Sequence, residues 1–236
     1  MQLFYNADIN EQTDILFFDR EESKHIIKVM RKIAGDKLFV TNGLGQLFET
    51  EIVLGSETKC SVKIVNVTTT EKSKHFLHLV VAPTKLNDRY EWFLEKATEI
   101  GVHEITPIIC DRSERKFVKT DRFDKIILSA MKQSAQTFLP KLNKPISLKD
   151  FLKKEITGQK FIAHCIEDHK ILFKNVLSQK ENITILIGPE GDFSTDELGM
   201  AIVQKFIPIS LGKNRLRTET AAVVACHTVA LCNENQ

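Results

Sequence analysis

Two periodicities divide the chain. Up to about Thr70, apolar and polar residues alternate in short runs. "DKLFVTNGLGQLFETEIV" reads as two extended segments around Asn42-Gly43, a hairpin signal, and "KCSVKIVNVTTT" as a further strand. One interruption, "REESKHIIKVMRK", sets Ile26, Ile27 and Met30 at helical spacing. The pattern predicts a small β-barrel over residues 1–72, joined to the rest of the chain by the polar "TTTEKSKH".

From Phe76 onward, apolar runs alternate with amphipathic ones. "FLHLVVAP", "ITPIIC", "KFIAHC", "NITILIGPEG" and "FIPISLG" read as strands. "DRYEWFLEKATEIG" predicts a helix opening near Asp88 and stopped by Gly101. "DRFDKIILSAMKQSAQTF" predicts a longer one, with Asp121 as its N-cap. A helix is also expected around "HKILFKNVL". In "STDELGMAIVQKF", Ser194 and Glu197 are spaced as a capping box. "TAAVVACHTVALC" supplies the last helix. Near-continuous apolar strands alternating with helices predict a parallel sheet covered on both faces, an α/β domain over residues 73–236.

Charge sharpens this picture only locally. The formal net charge is +2, yet residues 112–144 carry nine Lys/Arg against three Asp/Glu, and "KHIIKVMRK" is a second basic cluster. Such patches can meet phosphates even on a near-neutral chain, although solvated helix faces explain a lone cluster as well. The five cysteines show no C-x-x-C spacing, which points to buried, reduced thiols in a cytoplasmic protein rather than to a zinc site or a disulfide framework. No signal-peptide pattern and no apolar run of membrane-spanning length is visible, so neither a membrane nor a metal is expected.

Ligands of open parallel sheets bind beyond the carboxyl ends of the strands. Two such ends are glycine-bearing and charged: "IGPEGDFS" after "NITIL", and "LGKNRLRTET" after "FIPIS". His164, ending "FIAHC", falls at the same edge. His227 reads as a hydrogen-bonded core residue, and His75 and His78 as surface residues. No phosphate-binding G-x-x-x-x-G-K-[ST] exists, and "GLG" lies inside the hairpin, so a dinucleotide fingerprint is excluded.

"EKATEIGV" (Glu95 to Val102), "IGPEG" (Ile187 to Gly191) and "SLG...LRTETAA" (Ser210 to Ala222), in this order, resemble the RsmE family of ribosomal RNA uridine-N3 methyltransferases in the SPOUT superfamily. "HIIKVMR" before a strand-rich hairpin is similar to that family's PUA-like RNA-binding domain. The resemblance spans essentially the whole chain. It implies a SPOUT parallel sheet with a carboxyl-terminal trefoil knot, a homodimer, S-adenosylmethionine as methyl donor, and small-subunit (16S) ribosomal RNA as partner and substrate. It implies cofactor contacts from His164, Ile187, Gly188, Pro189, Glu190, Gly191, Leu211, Gly212, Leu216, Thr218 and Thr220. Arg217 and Glu219 are the catalytic candidates, Arg217 stabilising charge on the uridine and Glu219 acting as base or orienting Arg217. A charge at the start of a helix, favoured by its dipole, is the structural alternative for Glu219. His25, Lys28 and Arg31, at i, i+3 and i+6, are the candidate RNA contacts.

The chain departs from the family pattern where Asp192 replaces a second glycine, and at Asn214 and Arg215. "KQSAQ" (Lys132 to Gln136) stands in place of an "EQ-x-G-R" type motif. Two other functions stay open on the residues: an RNA-binding ribosome-assembly factor without catalysis, and a methyltransferase acting on a ribose 2′-hydroxyl.

Overall fold

The computed structural model describes residues 2–166 and 170–234. The chain divides into two compact units, Met1–Lys72 with Met131–Leu139, and Ser73–Ala130 with Pro140–Gln236.

The first unit is built on β1 (Leu3–Tyr5), β2 (Ile15–Phe17), β3 (Lys37–Thr41), β4 (Gln46–Leu54) and β5 (Ser61–Thr69), in the order β1-β3-β4-β5-β2. Only β1 and β3 pair in parallel. Register shifts within β4–β5 bend the sheet around Phe4, Ile26, Val40, Phe48 and Val62, all essentially inaccessible. Helix α1 (Arg20–Lys24) starts at Asp19, whose carboxylate accepts from Glu22 N–H at 2.8 Å.

Beyond α1 the expected continuous helix changes character. His25–Val29 is wound as a π-helix, with Met30 N–H donating to His25 C=O, and Arg31 turns into the left-handed region at φ 57°. Wider winding removes the common face assumed for His25, Lys28 and Arg31, and Arg31 lies outside the helix altogether. The expected hairpin forms, and its glycines have a further use. Gly45 N–H donates to Thr137 C=O and Leu139 N–H to Gly43 C=O, each at 2.9 Å, so a segment nearly a hundred residues away is bound to the turn. A β-carbon on Gly45, at φ +98°, would enter the Phe138 ring.

The second unit is a wholly parallel sheet. Its strands are β6 (Phe76–Val81), β7 (Glu104–Ile109), β8 (Lys141–Leu142), β9 (Ile146–Ser147), β10 (Gln159–Ala163), β11 (Ile171–Leu172), β12 (Asn182–Ile187) and β13 (Ile207–Ser210). The order is β11-β13-β10-β12-β6-β7-β8, with β9 also pairing β7. The central strands are buried along their length (Leu79, Val80 and Val81 in β6; Ile185, Leu186 and Ile187 in β12), as two covered faces require. The helices are α2 (Asn87–Ile100), α3 (Asp121–Gln133), α4 (Leu148–Phe151), α5 (Thr195–Val203) and α6 (Thr218–Asn233). Gly101 ends α2 at φ 106°. The capping box of α5 is formed by Ser194 and Glu197.

Local predictions fail at three places. Asp121 is the first helical residue of α3, not its cap, and Asp124 N–H reaches Thr120 C=O. That helix stops at Gln133 because Ala135 turns left-handed and the chain leaves to pair with the hairpin. Where a helix was expected around "HKILFKNVL", the described residues form the short β11 and a 3-10 turn, Phe173–Asn175; His169 lies outside them. Phe173 anchors this segment against Phe161 in the core.

Candidate active site

A cavity of about 500 Å³ opens at the carboxyl ends of β10, β12 and β13. Its size suits a nucleoside-sized ligand. Ala163, His164, Cys165 and Lys170 form one side, Ile187 to Glu190 with Asp192 a second, and Ile209 to Thr218 with Ala221 the third. The two glycine loops predicted from sequence therefore meet here. Thr218 Oγ1 donates to Gly188 C=O at 3.0 Å, a buried bond joining one loop to the other.

Of the residues expected to hold a cofactor, His164, Ile187, Gly188, Pro189, Glu190, Leu211, Gly212, Leu216 and Thr218 line the cavity, as does Arg217. Gly191, Thr220 and Glu219 do not. Gly191 was expected to make room for a ligand, yet a β-carbon there would approach Arg112 Cβ at 3.2 Å. Gly188 is the tighter position: its added carbon would stand 3.0 Å from the Phe193 ring, which is fully buried.

Asp192 explains its own departure from a second glycine. It sits at φ 63°, where glycine is at ease and aspartate is tolerated. Both its carboxylate oxygens are engaged: Oδ1 accepts from Phe193 N–H at 2.9 Å and Oδ2 from Cys165 N–H at 2.8 Å. The side chain thus ties the end of β10 to the loop after β12. Cys165 is exposed, against the expectation of uniformly buried thiols. Burial does hold the Cys226 thiol up at about 12 and raises Cys110 further still, so neither is a nucleophile at neutral pH.

Sequence reasoning missed the scaffold behind the loop. Arg112 donates to Gly191 C=O at 3.2 Å and Phe193 C=O at 3.3 Å. Asp111 N–H donates to Glu197 Oε1, and Ser194 Oγ to Asp111 Oδ2. Lys85 N–H donates to Glu190 Oε1 at 2.9 Å. Strand ends β6, β7 and β12 are laced together by these bonds. The only signal available in sequence was that "CDRSER" follows a strand.

Glu219, in the first turn of α6, is 6 % exposed and stands 3.8 Å from Arg89 Nε through Oε1. Among the described residues no ion pair joins it to Arg217, so the orienting partner seen is Arg89. Glu219 Oε2 is buried and has no hydrogen-bond partner, and the same holds for Oε2 of Glu190, a residue that lines the cavity. Such atoms carry a cost of about 1–3 kcal/mol unless something meets them. A ligand rich in donors, such as a nucleoside with ribose hydroxyls and an amino group, suits a wall of backbone groups, apolar side chains and one unsatisfied carboxylate oxygen.

His25, Lys28 and Arg31 lie in the first unit. His25 Nε2 is 2.8 Å from Gln2 Nε2, and Lys28 and Arg31 are exposed. His227 is exposed on α6 rather than held in the core. No helix among the described residues is long and apolar enough to cross a membrane.

A family described as an RNA methyltransferase domain matches residues 71–230, and an RNA methyltransferase PUA domain matches residues 18–65. A relative in Rickettsia conorii, named ribosomal RNA small subunit methyltransferase E, is 30% identical over 232 residues, covering 98% of this chain and 95% of that one. A probable rRNA-methyltransferase structure from Porphyromonas gingivalis superposes with a TM-score of 0.90 at 37% identity, covering 98% of this chain and 99% of the other. A putative methyltransferase from Legionella pneumophila, solved with bound S-adenosylmethionine, gives 0.88 at 27% identity, covering 99% and 98%.

Proposed function

Because the chain belongs to the ribosomal RNA small subunit methyltransferase E family, we propose that it methylates N3 of a uridine in small-subunit ribosomal RNA, using S-adenosylmethionine. The observation that carries this reading is the meeting of the two glycine loops around one cavity, with Arg217 on its wall and Glu219 in the first turn of the helix behind it. The backbone of Ile187 to Glu190 and of Leu211 to Leu216 would hold the donor, with Glu190 Oε2 as an acceptor. When bound there, S-adenosylmethionine supplies a methyl group that leaves with the sulfur keeping the bonding pair, while uridine N3 forms the new bond.

N3 of uridine carries a weakly acidic imide proton, and removing it spreads negative charge over O2 and O4. Arg217, exposed and free of ion pairs among the described residues, is the cation that meets this charge. Glu219, set behind the cavity wall, takes the proton through Oε2 across one water, help worth roughly 10²–10⁴-fold. Arg89 holds the other carboxylate oxygen in place. The exposed Lys28 and Arg31, with His25, contact RNA phosphates separately rather than from one helix face. The active form is a cytoplasmic homodimer, as the family resemblance implies.

Calorimetry with S-adenosylmethionine tests the site itself: saturable one-site binding is expected, and no binding by the folded protein overturns the reading. Glu219→Gln tests the base. A suppressed single-turnover rate at neutral pH that recovers as pH rises supports the role. A pH profile of unchanged shape assigns Glu219 to the helix start and to Arg89 alone.

A further inference from the structure

We propose that Lys213 and Arg215 form a phosphate clamp at the mouth of the cavity, gripping the RNA backbone beside the nucleotide that enters. Both residues are exposed and both line the cavity, at every second position of a loop that continues into Arg217. No hydrogen bond or ion pair with any described residue occupies either one.

Some cations of the second unit have a carboxylate close by, as Lys85 has Glu114 at 2.8 Å, Arg122 has Glu91 at 2.7 Å and Lys141 has Glu104 at 3.1 Å. The carboxylates beside the mouth are already committed to backbone. Asp192 accepts with both oxygens, and Glu190 accepts from Lys85 N–H while its second oxygen is buried. Positive charge at the rim is therefore left for a ligand. A guanidinium and an ammonium on one exposed rim suit phosphate oxygens, which either can meet from solvent. Arg217, also exposed, follows in the same loop directly before the buried Thr218 and the start of α6, where the base would sit. The loop thus grades from backbone recognition at Lys213 and Arg215 to chemistry at Arg217. It predicts a nucleotide presented singly, out of any duplex stack, since N3 lies on the pairing edge of uridine and must be free of a partner base to meet the donor.

This inference rests on the reading of the cavity as a methylation site, and its test needs no catalysis. Affinity for an unmodified small-subunit ribosomal RNA transcript is measured against salt concentration, without cofactor, for the wild type and for Lys213→Ala/Arg215→Ala. Two lost phosphate contacts lower the slope of log affinity against log salt by about 1.4, so the affinity loss between about 50 and about 200 mM salt shrinks roughly sevenfold. Calorimetric S-adenosylmethionine affinity falls far less than RNA affinity, because the donor is assigned to the backbone of this loop, which alanine keeps. A slope equal to the wild type overturns the clamp. So does a comparable loss of S-adenosylmethionine affinity, which would assign both cations to the donor. If the wild type binds RNA with the expected slope but never binds the donor, the methylation reading fails and the clamp stands. Circular dichroism checks folding. Should the double variant not fold, Lys213→Gln and Arg215→Gln decide singly, each expected to lower the slope by about 0.7.

Discussion

The two edges of the parallel sheet are built from similar residues and resolved in opposite ways. At the amino edge, polar side chains satisfy one another. Thr106 Oγ1 lies 2.7 Å from His78 Nε2 and accepts from Asn143 Nδ2 at 2.7 Å; Asn143 also donates to Glu104 Oε1, as does Lys141. His103 Nδ1 accepts from Leu77 N–H at 3.1 Å. At the carboxyl edge, polar groups satisfy the backbone and leave a remainder: the buried oxygens of Glu190 and Glu219, and Lys213, Arg215 and Arg217, which pair with no carboxylate among the described residues. A closed network holds strands in register. An open one has capacity for a ligand.

The contrast breaks most visibly at Arg217. Arg217→Ala should lower single-turnover methylation by about 10²–10³-fold, the usual effect of losing a donor to developing charge, with little change in S-adenosylmethionine affinity by calorimetry. Equal losses in binding and rate would make Arg217 a donor ligand instead.

Next in size is the glycine loop. Gly188→Ala forces the buried Phe193 ring to move and should weaken S-adenosylmethionine about tenfold, an energy of about 1.4 kcal/mol. Gly191→Ala meets only the exposed Arg112 and should weaken it less. Calorimetry on both variants checks the order, and the reverse order would return Gly191 to the ligand side.

At the amino edge the same kind of change should act on stability alone. Asn143→Leu leaves Glu104 and Thr106 short of a donor and should cost about 1–3 kcal/mol in urea unfolding, with donor affinity unchanged.

A further effect at the amino edge is in acid. Burial holds His78 down to about 4, with Lys141 and Lys154 adding to the shift and Glu104 opposing it. Burial, helped by His75, holds His103 at about 4 as well. Both fold neutral below their ordinary value near 6.5. Their contribution is therefore whole above about 6.5 and is lost as pH falls toward about 4. Melting temperature should drop over that window, and His78→Asn should shallow the drop.

These edges also differ in how far the sequence reveals them. The loops after β12 and β13 are legible because glycines and charges interrupt apolar strands, and sheet topology brings such ends together. The capping box at Ser194 and the stop at Gly101 are legible for the same local reason. What escapes depends on distant partners. Arg112 gains its role only when β7 lies beside the Gly191 loop. "SAQTF" continues a helical pattern, yet Ala135 turns away so that Phe138 can pair with Leu44. His78 alternates with apolar neighbours like a surface residue and is covered by Phe151 from α4. The π-winding at His25 leaves no trace in the spacing of Ile26, Ile27 and Met30.

Nucleoside mass spectrometry of unmodified small-subunit ribosomal RNA, after incubation with the protein and S-adenosylmethionine, tests the central claim most directly. N3-methyluridine is expected with the wild type and almost none with Arg217→Ala. A 2′-O-methylated nucleoside, or no methylated product from a protein that binds both RNA and donor, would contradict it.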